Sequence, residues 1–227
     1  RHAETTANAE GRMQGHADFE LSVDGKAQSE QLYEAFLTGG YTPTRLYSSP
    51  LKRCAQTTDI VSRSWRTPVV YWDDLKEHSI GILSGLTWDE AGTKYPNIDV
   101  ESVKAQQLDG VDGAEPLHER RTRAARVVSR LVDDHRNNDD VLVVTHGGIL
   151  QHILGVLMGT SRTWGVHVRN TAVFEFEIDL VSWGLDGDHR LNTSHARIAR
   201  FNDASHLDAL DGRNDATSLR RMKCASV

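Results

Sequence analysis

The chain has little of what membrane-spanning, nucleic-acid-binding and disulfide-stapled proteins need. Its apolar runs are far shorter than the roughly 18 residues that cross a bilayer. Its net charge of −6 argues against nucleic acid and anionic membranes as main partners. It has only two cysteines, Cys54 in a predicted buried helix and Cys224 in a polar segment. We therefore expect no disulfide bond and a reducing, cytoplasmic compartment.

What the chain does contain is an alternation of strand-like and helix-like segments. Its 227 residues are 38 % hydrophobic, which suffices for one large core. Short β-branched runs predict strands at 44–48, 68–71, 141–145, 171–179 and 194–201. Helical periodicity or capping residues predict helices at 25–38, 51–65, 87–95, 116–135 and 148–158. This alternation favours an α/β fold with a largely parallel sheet covered on both faces.

The two ends of the chain lack this regular pattern. Residues 1–20 are predicted to be a loop, because glycines and polar residues interrupt any periodicity. A loop at a strand end needs a strand before it, so we expect the first strand of the domain to lie upstream of Arg1. A targeting segment there is also compatible with the sequence. We expect one domain over residues 1–201 and a loosely ordered polar tail over 202–227.

Two histidines lie where a phosphate-binding loop would be. His2 is in the opening segment 1–5, and His146 follows a predicted apolar strand and precedes two glycines. Arg53 comes shortly after another predicted strand. In open parallel sheets the site lies outside the carboxyl ends of the strands. We therefore expect His2, Arg53, Glu77 and His146 to meet in one pocket.

These residue types suit the transfer of a phosphoryl group to an imidazole. A neutral histidine is a nucleophile, and Arg1 and Arg53 should keep His2 neutral because nearby cations disfavour the imidazolium. The planar guanidinium group also binds phosphate oxygens in a bidentate way. A carboxyl group such as that of Glu77 can act as general acid and then as base for water. The scheme needs no metal and no cofactor.

The same residues resemble the motifs of the histidine phosphatase superfamily, the phosphoglycerate mutase-like proteins. Segment 1–5 is similar to the family's Arg-His-Gly-Glu-Thr motif, with Ala3 in place of glycine. Segment 48–53 resembles the one that supplies a second arginine, and 145–148 the one with a second histidine. Segment 75–77 is similar to the stretch with the proton donor. The resemblance extends from residue 1 to about 180.

The resemblance implies a three-layer αβα sandwich with a mostly parallel central sheet and a phosphohistidine intermediate on His2. The catalytic residues that it implies are His2, Glu77, His146, Arg1 and Arg53. The substrate-binding residues that it implies are Arg1, Asn8, Gln14, Gly15, Arg53, Glu77, His146 and Gly147. Glu115 resembles the glutamate of a further motif only loosely.

Within this family, the sequence favours a phosphatase over a mutase. The segment 86–115 is short and contains no arginine. A mutase must hold a bisphosphorylated intermediate, which needs extra positive charge. We predict a metal-independent phosphomonoesterase acting on a small phosphorylated metabolite. A cofactor-dependent phosphoglycerate mutase and a non-catalytic module that binds phosphorylated ligands are the alternatives. The expected partner is the small substrate, without nucleic acid or membrane, and a homodimer is left open.

Overall fold

The computed structural model describes residues 1–162, 164–185 and 187–208. Its centre is a parallel three-stranded sheet in the order β2-β1-β3. These strands are β1 (Arg45–Ser48), β2 (Val69–Tyr71) and β3 (Val141–Val144). Leu46 of β1 pairs with Val69 on one side and with Leu142 on the other. An antiparallel pair follows, formed by β4 (Val173–Ile178) and β5 (Ala196–Asp203).

The helices alternate with the strands along the chain. The α-helices are α1 (Thr6–Ala9), α2 (Val23–Thr38), α3 (Lys52–Val61), α4 (Trp88–Lys94), α5 (Val100–Lys104), α6 (Leu117–Asp133), α7 (Gly147–Leu157) and α8 (Leu180–Trp183). Short 3₁₀ helices cover Asp73–Leu75, Gly81–Leu83, Gly187–Leu191 and Ser205–Leu207. In the described ranges, no helix is both long and apolar enough to span a lipid bilayer.

The helices cover both faces of the sheet. On one face, Val127 of α6 and Ile149 of α7 pack with Tyr47 of β1 in a buried cluster. On the other face, Phe36 of α2 and Val61 of α3 pack against a residue of β3, because successive strand side chains point to opposite faces. The architecture is therefore an α/β fold with helical layers on either side of a mostly parallel sheet, as predicted.

The carboxyl edge of this sheet is extended by the opening residues of the chain. The His2 N–H donates to the carbonyl of Thr145, just past β3, at 2.9 Å. The Thr171 N–H, just before β4, donates to the His2 carbonyl at 3.3 Å. His2 is thus held between the end of β3 and the start of β4. The main-chain ladder therefore sets its position.

Every predicted helix and strand is present in the structure, but the helix predicted over 51–65 ends at Val61, and α5 and α8 were not predicted. Within the predicted loop 1–20, Thr6–Ala9 form one helical turn capped by Thr5. The boundary predicted at residue 201 is corrected, because β5 runs to Asp203 and both Ala204 and Leu207 are buried. Their packing against α7 makes residues 202–208 part of the fold. The rest of the predicted tail, 209–227, lies outside the described residues.

Candidate active site

A cavity of about 320 Å³ opens at the carboxyl edge of the parallel sheet. Eight of the predicted site residues line it: Arg1, His2, Asn8, Gln14, Gly15, Arg53, Glu77 and Gly147. His146 lies directly behind this lining and is fully buried. The ring centroids of His2 and His146 are 5.1 Å apart. The structure thus brings together residues from four separate stretches of the chain, 1–15, 53, 77 and 146–147.

His2 is held in the tautomer that a nucleophile requires. Its Nδ1 lies 2.7 Å from the carbonyl oxygen of Ala3. Because a carbonyl oxygen only accepts hydrogen bonds, Nδ1 carries the proton and donates it. The other ring nitrogen, Nε2, is therefore left with its lone pair. The side chain lines the cavity while only 3 % of the residue surface is exposed.

The surroundings of His2 also keep its ring uncharged. Burial lowers the pKa of His2 well below its ordinary value, and the charges of Arg1 and Arg53 lower it further. Burial disfavours the charged form of an imidazole, and so do nearby cations. In the free protein at neutral pH, His2 is consequently a neutral imidazole.

Arg53 is fixed in place by three acceptors. Its Nε donates to Nδ1 of His146 at 3.0 Å, and its terminal nitrogens donate to the carbonyls of Ala17 at 3.0 Å and Gly15 at 2.8 Å. The residue is 1 % exposed, yet it still lines the cavity. Its remaining N–H donors are available to the phosphate oxygens of a ligand.

His146 acts on the cavity through its neighbours in this arrangement. Because its Nδ1 accepts from Arg53, the proton is on Nε2, which lies 2.7 Å from the hydroxyl of Ser49. Burial lowers the pKa of His146 well below its ordinary value, and Arg53 adds to this effect. The ring is neutral and positions Arg53. A direct bond from Nε2 to a substrate requires that Nε2 leave Ser49.

Three buried polar atoms of cavity-lining residues lack hydrogen-bond partners within the described ranges. They are Nε of Arg1, Oε1 of Gln14 and Nδ1 of His78, the last of which lies 3.0 Å from Glu77. Another guanidinium nitrogen of Arg1 donates to the carbonyl of Val168, which anchors the side chain. Buried polar groups without partners cost free energy. A ligand that accepts from Arg1 and donates to Gln14 would remove that cost.

Asn8 presents its amide nitrogen to the cavity. The side-chain Oδ1 of Asn8 accepts from the backbone N–H of Thr5 at 3.2 Å. The backbone N–H of Asn8 donates to the Thr5 hydroxyl at 3.0 Å. This capping box at the start of α1 uses the acceptor end of the amide. The Nδ2 donor remains for an anionic ligand.

Glu77 occupies the amino end of α7. Its two carboxylate oxygens accept from the N–H groups of Gly148 at 2.8 Å and Ile149 at 2.9 Å. A helix N-terminus binds anions, and its N–H groups often face a bound phosphate. Here the Glu77 carboxylate accepts from them instead.

The Glu77 carboxyl group is ionised in the free protein. Burial by itself raises its pKa, but the neighbouring His78, His146 and the N–H of Gly148 outweigh it and hold the pKa well below the ordinary value. His78 is the closest of these groups, with its Nδ1 3.0 Å from Oε1 of Glu77. Any role of Glu77 as a general acid must therefore begin with proton uptake.

Gly148 is required by the approach of Glu77 and His78 to the helix. A Cβ atom on Gly148 would lie 2.6 Å from Oε1 of Glu77 and closer still to the ring of His78. Either contact is shorter than van der Waals packing allows. The second glycine after His146 thus makes room for the carboxylate.

Glu115 lies outside the cavity lining and supports the Glu77 segment from behind. Its carboxylate makes two hydrogen bonds with the Arg123 guanidinium, at 2.8 and 2.6 Å. Arg123 in turn donates to the carbonyls of Asp74 and Lys76 at 2.8 and 2.7 Å. The loop that presents Glu77 is therefore held from α6 by a buried arginine.

Some cavity residues were not predicted as site residues. They are Arg12, Met13, His78, Ile80, Trp88, Val103, Gln106, Leu108, Gly148, Gln151, Val166, His167 and Val168. Gln151 carried a usable signal, since it lies one helical turn after Gly147. The residues between 100 and 110 carried none, because α5 is a short helix in a segment without clear periodicity.

The neutral histidines predict how stability depends on pH. His2 and His146 have depressed pKa values in the folded state, whereas an unfolded histidine titrates near 6.5. The unfolded state therefore binds more protons below that pH, and the free energy of unfolding should fall as pH drops from about 7.5 to about 5.5. Urea unfolding across this range measures the effect.

The matched variants for this prediction are His2→Gln and His118→Gln. His118 is exposed on α6 and outside the cavity lining, so its replacement should keep the wild-type pH dependence. His2→Gln should flatten it. An equally steep dependence in His2→Gln would show that His2 is not held neutral by the fold.

The chain is similar to known proteins over most of its length. The sequence matches the family model of the histidine phosphatase superfamily (branch 1) over residues 1–187. It is 34 % identical over 212 residues to a metal-independent phosphoserine phosphatase of Arabidopsis thaliana, covering 92 % of this chain and 82 % of that protein. It is 31 % identical over 214 residues to phosphoglycerate mutase-like protein 4 of the same plant, covering 92 % and 85 %.

A solved structure shows the same fold. Bacillus stearothermophilus YhfR superimposes with a TM-score of 0.75 at 24 % identity, and the match covers 92 % of this chain and 96 % of that one. The family match spans most of the chain and includes the segments that carry His2, Arg53, Glu77 and His146. The chain therefore belongs to branch 1 of the histidine phosphatase superfamily.

Proposed function

We propose that this protein is a metal-independent phosphomonoesterase that hydrolyses a small phosphorylated metabolite through a phosphohistidine on His2. The observation that carries the proposal is the state of His2. Its imidazole is neutral, and its Nδ1–H donates a hydrogen bond to the Ala3 carbonyl, which leaves the lone pair on Nε2. It lies in a cavity with two arginines that keep donors free for phosphate oxygens. The name of the relative that is a metal-independent phosphatase supports the same activity.

In the first step, Nε2 of His2 attacks phosphorus and the bond from phosphorus to the ester oxygen breaks. Arg1, Arg53 and Asn8 donate to the equatorial oxygens, where charge is spread in such transition states. The leaving oxygen takes a proton from Glu77 and departs as the alcohol. The products are the alcohol, phospho-His2 and the Glu77 carboxylate.

The proton on Glu77 comes with the substrate. A phosphate monoester has a second pKa of about 6, so near neutral pH a fraction is bound as the protonated monoanion. The carboxylate of Glu77 accepts that proton and passes it to the leaving oxygen. This route reconciles the low pKa of free Glu77 with catalysis by a general acid.

In the second step, water attacks the phosphorus of phospho-His2 and the bond to Nε2 breaks, which restores neutral His2. The Glu77 carboxylate takes a proton from this water and passes it to the departing phosphate, which leaves as the monoanion, so that Glu77 is again ionised. His146 holds Arg53 in register through both steps, since Arg53 donates to its Nδ1. Every side chain with a role in these two steps lines the cavity, except His146, which lies directly behind the lining.

The alternative enzymatic function is that of a phosphoglycerate mutase. A mutase needs extra positive charge for a second phosphate. Arg12, a further arginine in the cavity lining, is paired with Glu10 and Glu90 at 2.7 Å each. This pairing favours hydrolysis. Incubation with 3-phosphoglycerate separates the two, since a mutase would form 2-phosphoglycerate without free phosphate.

Acid-quench labelling tests the proposed intermediate directly. Mixing the protein with a ³²P-labelled monoester should give an acid-labile, base-stable phosphoprotein. His2→Gln should abolish both the label and phosphate release, because the proposed mechanism forms the phosphoenzyme on Nε2 of His2. His118→Gln, at an exposed histidine, should retain both. Full labelling of His2→Gln would refute the proposal.

Glu77→Gln tests the proton donor. Alkyl phosphates have poor leaving groups that need the proton, so their kcat should fall by about 10² to 10⁴-fold. Aryl phosphates should lose much less, because their leaving groups depart with little proton assistance. Asp73→Asn, at an exposed carboxylate in the preceding 3₁₀ helix, is the matched control. Equal losses on both substrate types would contradict general-acid catalysis.

Gly148→Ala tests the space reserved for the carboxylate. The added methyl group should displace Glu77 and lower kcat for alkyl phosphates by about 10²-fold, the scale of general-acid catalysis. Gly155→Ala on the same helix is the control, since its Cβ would meet its nearest neighbour at 3.4 Å. That variant should keep activity and unfold at the same or a higher temperature. Wild-type activity in Gly148→Ala would show that Glu77 position is unimportant.

A further inference from the structure

The part of the cavity beyond the phosphate-binding residues is largely apolar. Its apolar lining consists of Met13, Ile80, Trp88, Val103, Leu108 and Val166. Its polar groups include the uncharged amides of Gln106 and Gln151 and the imidazoles of His78 and His167. Ligand sites of this composition recognise shape through the apolar walls and orientation through a few polar groups.

The charges in this outer part are already compensated. Arg12 donates from Nε to Glu10 and from another nitrogen to Glu90, both at 2.7 Å, and it also bonds the carbonyl of Gly85. Apart from Arg12, the lysines and arginines in the described lining are Arg1 and Arg53, which belong to the phosphate end. An ionised group on the alcohol side of a substrate would therefore find no uncompensated lysine or arginine there.

Trp88 is fixed as a rigid wall of this outer part. It is the first residue of α4, directly after the Thr87 cap, and Thr87 and Glu90 form a reciprocal capping box. Its ring packs against the buried cluster that includes Ile80 and Val103. A fixed aromatic ring offers contact area to another ring or to an apolar face at little entropic cost.

We infer that the alcohol part of the substrate is uncharged and presents an apolar, ring-sized face to Trp88. This inference rests on the proposed phosphatase function and narrows its substrate class. An acidic alcohol such as a phosphorylated hydroxy acid fits poorly, because its carboxylate would lose water among apolar side chains without gaining an unpaired lysine or arginine. Orientation comes from the amides of Gln106 and Gln151.

Binding of non-hydrolysable phosphonates tests the inference without depending on turnover. The probes are benzylphosphonate, 4-carboxybenzylphosphonate and ethylphosphonate, which share the phosphonate and differ in the ring and the added charge. Calorimetry should show benzylphosphonate binding at least about tenfold more tightly than either of the others. Equal or tighter binding of 4-carboxybenzylphosphonate or ethylphosphonate would overturn the inference.

Trp88→Ala locates the selectivity. It should weaken benzylphosphonate about tenfold and leave ethylphosphonate unchanged, because only the ring contact is lost. Trp164→Ala is the control, at a tryptophan that is 58 % exposed and outside the cavity lining. A loss that is the same for both ligands, or the same in both variants, would contradict a ring contact at Trp88.

The double variant Glu10→Gln and Glu90→Gln tests the compensation of Arg12. Glutamine at 90 can keep the capping box, so α4 should stay intact. Freed of its partners, Arg12 should improve binding of 4-carboxybenzylphosphonate by up to about fivefold, the scale of an exposed ion pair. Benzylphosphonate should be unaffected. No gain for the carboxylated ligand would show that Arg12 does not control its exclusion.

Turnover of benzyl and 4-carboxybenzyl phosphate then separates this inference from the function on which it rests. Release of phosphate from both, with the carboxylated ester preferred, would refute the substrate class and leave the phosphatase intact. Selective phosphonate binding without phosphate release or labelling of His2 would refute the phosphatase and leave the outer recognition surface. Preference for benzyl phosphate in both measurements supports both.

Discussion

The site depends on the buried guanidinium of Arg53 and its hydrogen bond to Nδ1 of His146. This bond joins the start of α3 to the end of β3, and two further bonds tie the same group to the Gly15 and Ala17 carbonyls. A buried cation with three fixed acceptors cannot reorganise cheaply. Its charge lowers the pKa of both histidines, adding to the effect of burial. The neutrality of His2, the proposed nucleophile, is therefore a property of the packed core.

The protonation state of Glu77, the proposed general acid, is likewise set by the groups packed around it. Burial would protonate its carboxyl, but the amino end of α7 and the adjacent His78 stabilise the charged form. The carboxylate therefore waits for a proton that a phosphate monoanion can deliver. The small size of Gly148 allows this arrangement, and Arg123 fixes the loop from the opposite side.

Much of the fold and many of the site residues could be predicted from the sequence. The apolar, mostly β-branched run at 141–144 predicts a strand from its local pattern alone, and the structure has a strand there, shortly before His146 and Gly147. The partners of these residues could not be predicted in the same way. Nothing local indicated that the N–H groups of Gly148 and Ile149 would bind Glu77, about 70 positions earlier in the chain. The extension of β5 to Asp203 also depends on pairing with β4.

The sequence by itself determined which residue types stand at the strand ends, and so the phosphoryl chemistry and the family. Strand periodicity and motif order are properties of the sequence itself, so they can be recognised without knowing which segments contact each other in the fold. Only the tertiary structure decided which nitrogen of His2 is free and which groups hold Arg53. It also decided that Glu90, distant in sequence, compensates Arg12 in the outer cavity. Hydrogen bonds and ion pairs depend on distances of a few ångströms between remote segments, and only the packed chain sets those distances.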